Sequence, residues 1–137
     1  MSITINQAQG KVPVTILAIQ GDLDASNFQD VITKAREVYQ TGARYLLIDM
    51  SGMPFMSSSG LVALHSMAML FQGKQPPDPE YGWEAFHSID RVQDRGVQRF
   101  VKLLNPQPRV SRTLEVSGMN AFFEIHTDQE TAIASFK

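Results

Sequence analysis

Three consecutive serines, Ser57, Ser58 and Ser59, stand directly before Gly60 and an apolar run from Leu61 to Phe71, and their hydroxyls are the sequence's clearest chemical handle. Serine at a helix start can cap backbone N–H groups, act as a nucleophile or accept a phosphate. A nucleophile elbow needs glycine two residues before its serine, and Met56 occupies that place for Ser58, so hydrolase chemistry is not indicated. Asp22, Asp24 and Asp49 could gather as carboxylates around a cation, yet aspartate is also the ordinary residue of turns and strand ends. His65, His87 and His126 are spaced by 22 and 39 residues, without the short paired spacing of a zinc site. His65 reads as a satisfied helix residue. No glycine-rich phosphate loop and no triad is recognisable, so neither an enzyme nor a cofactor is expected.

The elements that position these residues follow from hydrophobic periodicity. Ile3 and Ile5 alternate with polar neighbours, and Val12 to Ile19 is β-branched and apolar up to Gly21, which predicts two opening strands with Pro13 at an edge or strand start. Phe28, Val31, Ile32, Ala35, Val38 and Tyr39 then fall on one helical face, with Ser26 or Asn27 to cap its start and Gly42 to end it. Tyr45 to Ile48 is a short continuous apolar run, as expected of a central strand covered on both faces. The Leu61–Phe71 run is apolar around most of its circumference and predicts a largely buried helix.

Residues 73–96 break this rhythm with Gly73, Pro76, Pro77, Pro79, Gly82 and Gly96 around Tyr81, Trp83 and Phe86, and read as an insertion before the fourth strand. These aromatics fit either a partner-specific arm or a flap over the sheet. Beyond it come a strand over Phe100–Leu104, a helix over Pro108–Ser117 with Gly118 past its end, and a short strand over Phe122–Ile125. A last helix has Thr127 and Glu130 in capping-box spacing, with Ala132, Ile133 and Phe136 as its contacts. The whole predicts one α/β domain over residues 1–137, with a mixed sheet of about five strands and about four helices.

Composition narrows the function classes. The chain has 137 residues, 43% of them hydrophobic, enough for a core without disulfides or metal, and it has no cysteine. A net charge of -2 with scattered basic residues gives no footprint for direct nucleic-acid binding. No window approaches the length of a membrane span and no secretory signal is visible, so a soluble cytoplasmic protein is expected.

Gly21-Asp22-Leu23-Asp24 before the first helix, Leu47-Ile48-Asp49-Met50-Ser51 ending the central strand, and Phe55-Met56-Ser57-Ser58-Ser59-Gly60-Leu61 opening the second helix together resemble the STAS domain family, in particular bacterial anti-sigma-factor antagonists. The turn Asn105-Pro106-Gln107-Pro108-Arg109-Val110 extends the likeness across nearly the whole chain outside residues 73–96. The resemblance implies a STAS fold and a non-enzymatic docking role. It implies that Ser58 is phosphorylated by a partner kinase that is also the anti-sigma factor, that a serine phosphatase reverses this, and that the unphosphorylated form binds the kinase.

Ser57 stands where the family commonly carries aspartate. A constitutive scaffold or accessory subunit of a signalling or transport complex is therefore the alternative reading, with Ser58 only a cap. Asp24 is expected beside the second helix start, because loops at one end of neighbouring strands converge. Asp24, Met56, Ser57, Ser59 and Leu61 are accordingly assigned to the docking surface. Methionines around the second helix fit either adaptable contact surface or core filling, the latter favoured for Met67 and Met69.

Overall fold

The computed structural model describes residues 1–73 and 97–137. Strand β1 (Ser2–Gln9) and strand β2 (Pro13–Gln20) form a hairpin in which Ile3 faces Ile19 and Gln9 faces Pro13. Proline thus sits at the first position of its strand, where its missing N–H costs the ladder least. Helix α1 (Phe28–Gln40), strand β3 (Leu46–Asp49), helix α2 (Ser58–Phe71) and strand β4 (Val101–Leu104) follow. Helix α3 (Pro108–Ser117), a 3-10 turn (Met119–Ala121), strand β5 (Ile125–His126) and helix α4 (Gln129–Ser135) complete the described elements.

The five strands form one sheet in chain order, antiparallel between β1 and β2 and parallel from there on. The mixed α/β sheet read from the periodicity is therefore observed. Alternation along each strand divides the sheet's two faces. Leu17, Ile19, Leu46, Ile48, Val101 and Leu103 join α1, α2 and α3 in the larger core, while Val14, Ile16, Leu47 and Leu104 meet Ala132 and Phe136 of the α4 segment on the other face. Leu46, Leu47 and Ile48 are fully buried, each worth roughly 1.5–3 kcal/mol of transfer free energy. This explains why that run carries no polar alternation.

Beneath α4 a buried cation of the sheet, Lys102, finds its partners. Lys102 is 5% exposed, and its ammonium donates to the Ser135 carbonyl at 3.1 Å and to Ser135 Oγ at 2.9 Å while pairing with Glu124 at 3.0 Å. Burial pushes the Glu124 carboxyl up, but hydrogen bonds from Lys102 and His126 and their charges outweigh it and leave its pKa lowered.

Three expectations change. Only Ile125–His126 pairs with β4, because Phe122 and Phe123 both point into the same core, which neighbouring residues of one strand cannot do; the 3-10 turn lets them pack edge to face at 4.9 Å. The cap of α4 is Asp128 rather than Thr127: its carboxylate accepts from the Thr131 N–H at 2.9 Å and from the Thr131 hydroxyl. The first helix starts after Asn27, whose side chain makes no capping bond and instead accepts from the Asp24 N–H at 3.0 Å. The insertion expected over 73–96 lies outside the described residues except for Gly73.

Candidate functional site

Two loops at the C-terminal ends of neighbouring strands meet at the start of α2. Leu23 and Met56 form an isolated parallel bridge, with the Leu23 N–H donating to Phe55 O at 3.0 Å and the Ser57 N–H to Leu23 O at 2.9 Å. This stitch places Asp24 beside the first turn of α2, as the convergence of loops predicts. The Asp24 carboxylate accepts from the backbone N–H and the hydroxyl of Ser26, which hold it below the usual carboxylate range. It is an ordered anion that closes its own turn.

Ser57 is the N-cap of α2: its Oγ accepts from the Ser59 N–H at 3.2 Å, and Gly60 N–H donates to its carbonyl at 2.9 Å. The capping task that an aspartate at this position would perform is thus done by a neutral hydroxyl. Ser58 is consequently the first helical residue, exposed, with no hydrogen-bond partner for its hydroxyl among the described residues. Of the three serines it alone is both outside the capping bond and exposed, since Ser57 and Ser59 are half-buried.

Met56 and Leu61 are placed differently from the expectation. They are only 1% and 3% exposed, so the assignment of their side chains to a docking surface is corrected: they form the floor beneath it. Gly60 explains the depth of Met56. A Cβ at position 60 would lie 2.2 Å from Met56 Cγ and 3.2 Å from Leu23 Cδ2, so only glycine lets the methionine lie against the helix turn.

A groove of about 590 Å³ runs from this helix start to α3, lined by Phe55, Ser58 and Leu61 on one wall and by Arg109, Arg112, Thr113 and Val116 on the other. The α3 wall is fixed because its N-cap residue, Gln107, donates through its side chain to Ser51 O at 2.6 Å, at the end of β3. The Arg109 guanidinium lies 5.1 Å from the centre of the Phe55 ring, within cation–π range. Arg109 and Arg112 are exposed, and neither has an ion-pair partner among the described residues. Periodicity held a signal for this wall: Arg109, Arg112, Thr113 and Val116 recur at helical spacing opposite the buried Val110 and Leu114.

Other candidate groups stay apart. Asp49 is used by Ser51, whose N–H and hydroxyl donate to it at 3.0 and 2.7 Å. Among the described residues no three of His, Cys, Asp and Glu come together in a way that could hold a metal. His126 pairs with Glu124 at 2.7 Å, and His87 lies outside the described residues. His65 is helical but not satisfied: it is fully buried, neither ring nitrogen has a hydrogen-bond partner among the described residues, and burial lowers its pKa from 6.5 to about 4. Met67 is core and Met69 is partly exposed.

The STAS domain family model matches residues 6–75, just over half of the chain. The chain belongs to the STAS domain family. The match takes in both loops of the Leu23–Met56 bridge and Ser58. Among solved structures, this STAS domain is similar to the anti-sigma factor antagonist SpoIIAA in its unphosphorylated form, with 18% identity over 96% of this chain and 93% of that one and a TM-score of 0.61. It is similar to an anti-sigma factor antagonist from Mycobacterium paratuberculosis at 16% identity over 98% and 93% of the two chains, with a TM-score of 0.63. The phosphorylated form of the Bacillus cell fate determinant SpoIIAA aligns at 16% identity over 96% of both chains, with a TM-score of 0.53. At these identities the likeness is one of fold. No curated protein matches the sequence. No helix among the described residues is long and apolar enough to cross a membrane.

Proposed function

We propose that this STAS domain, spanning residues 1–137 with 73–96 as an insertion, is a phosphorylation-controlled protein-binding module of the cytoplasm. Unphosphorylated at Ser58, it binds an anti-sigma factor that is also a serine kinase, and phosphorylation releases it. The observation that carries this reading is the position of Ser58: exposed, without a hydrogen-bond partner among the described residues, and first in a helix whose cap is supplied by its neighbour. Transfer from ATP forms a bond between Ser58 Oγ and the γ-phosphorus and breaks that phosphorus from the β–γ bridging oxygen. ADP leaves and the hydroxyl proton passes to a base on the kinase. A phosphatase restores the serine with water and releases inorganic phosphate.

The added group carries close to two negative charges at pH 7 and needs no rearrangement of the fold, because the helix start favours an anion. A partner that must desolvate this spot is opposed by the same charge. A few kcal/mol of differential affinity moves such a complex from mostly bound to mostly free. Asp24, Ser57 and Ser59 flank the serine at the surface, over the floor of Met56 and Leu61.

Co-purification from the native cells tests the reading. A Ser58→Ala chain is expected to retain a kinase partner that Ser58→Glu loses; equal recovery with both variants overturns it. The second reading, a constitutive subunit of a larger complex, is favoured by Ser57, which caps α2 but lacks the acidic charge common at that place in the family. A stable complex insensitive to phosphatase supports that alternative.

A further inference from the structure

Among the described residues, the groove beside Ser58 is lined by two guanidiniums and no carboxylate. Ser58 lines it from α2, and Arg109 and Arg112 line it from α3 at i, i+3 spacing, so both arginines project from one face toward the same space. The remaining wall is apolar or neutral, with Phe55, Leu61, Val116 and Thr113. Two like charges side by side, with no ion-pair partner among the described residues, repel each other, and an anion in that space relieves them. Arg109 is already held over the Phe55 ring at 5.1 Å, which limits the side-chain freedom it would lose on pairing.

We propose that Arg109 and Arg112 clamp the phosphate of phosphorylated Ser58 within the chain, their side chains closing on it from the fixed wall of α3. The proposal rests on the reading of Ser58 as a phosphorylation site and adds how the phosphate acts. Guanidinium and phosphate match in geometry, two donors to two oxygens, so a phosphate at Ser58 Oγ replaces solvent around both arginines. Release of the partner then follows from a change of surface: two cations are neutralised and the half-buried Phe55 ring is covered. Charge repulsion alone leaves the arginines and that ring available.

The test installs phosphoserine at position 58 during synthesis, so that no kinase is needed, and follows the phosphate by ³¹P NMR across pH. A free phosphoserine has its second pKa near about 6. The clamp predicts a value about one unit lower in the phosphorylated chain, most of it returned in Arg109→Gln/Arg112→Gln, and Arg Nε resonances that move on phosphorylation. Both arginines are exposed, and amide spectra of the double variant confirm its fold. A pKa that is the same with and without the arginines, with Arg Nε resonances unmoved, overturns the clamp. Because the phosphate is placed synthetically, a clamp in a chain that carries no phosphate in its own cells refutes the proposed function alone, and a native phosphate without a clamp refutes this inference alone.

Discussion

Gly60 and Met56 interlock at the start of α2, with the site of the missing glycine Cβ only 2.2 Å from Met56 Cγ. The contact ties the helix turn that presents Ser58 to the bridge between Leu23 and Met56, so packing at one residue sets the geometry of the exposed hydroxyl.

Gly60→Ala should therefore destabilise the domain even though alanine is the better helix former by about 1 kcal/mol. Overpacking costs typically about 1–3 kcal/mol and here displaces Met56 from the Leu23 side chain. Urea denaturation is expected to show a lower midpoint at unchanged slope, and the Met56 methyl resonance should shift. A raised midpoint would mean that Met56 moves aside freely.

Removing the cap has a smaller effect. Ser57→Ala deletes the acceptor for the Ser59 N–H and should cost about 1 kcal/mol, whereas Ser57→Asp should retain the bond and add a favourable charge at the helix start. The denaturation midpoints of the two variants, compared with the parent, measure both effects.

Burial of His65 makes stability depend on pH in a definite sense. Its folded pKa of about 4 lies below 6.5, so the unfolded chain takes up the proton first and stability falls as pH drops from about 6.5 to about 4. The full loss is about 3 kcal/mol at 1.36 kcal/mol per unit. His65→Leu removes this dependence and also two buried nitrogens with no partner among the described residues, so its midpoint should exceed the parent's, most of all at pH 4, the acid end of the series. Urea melts of both chains from pH 7 to pH 4 check the sign and size.

Much of this architecture is legible in the residues. The helical face from Phe28 to Tyr39, the buried run of β3 and the hairpin at the start all follow from period and composition, and the meeting of Asp24 with the α2 start follows from the rule that strand-end loops converge. Depth at the site was not legible. Met56 sits beside the serines in a short irregular stretch, where no periodicity assigns a face, and its burial is decided by Leu23 and Gly60 from other turns, whereas Leu61 opens the apolar run whose burial the composition of α2 already implies. Phe122 and Phe123 read as a strand because aromatic residues suit one, until both are required by a single core. Arg109 and Arg112 lie far along the chain from Ser58, and only the folding of α3 against the end of β3 through Gln107 and Ser51 brings them to one groove.

Intact-mass and phosphopeptide measurement of the protein from its own cells, under growth and under stress and beside a Ser58→Ala variant, tests the central claim most directly. A phosphate that changes with condition and vanishes in the variant is the predicted result; no phosphate at Ser58 under either condition would contradict the switch and favour a constitutive subunit.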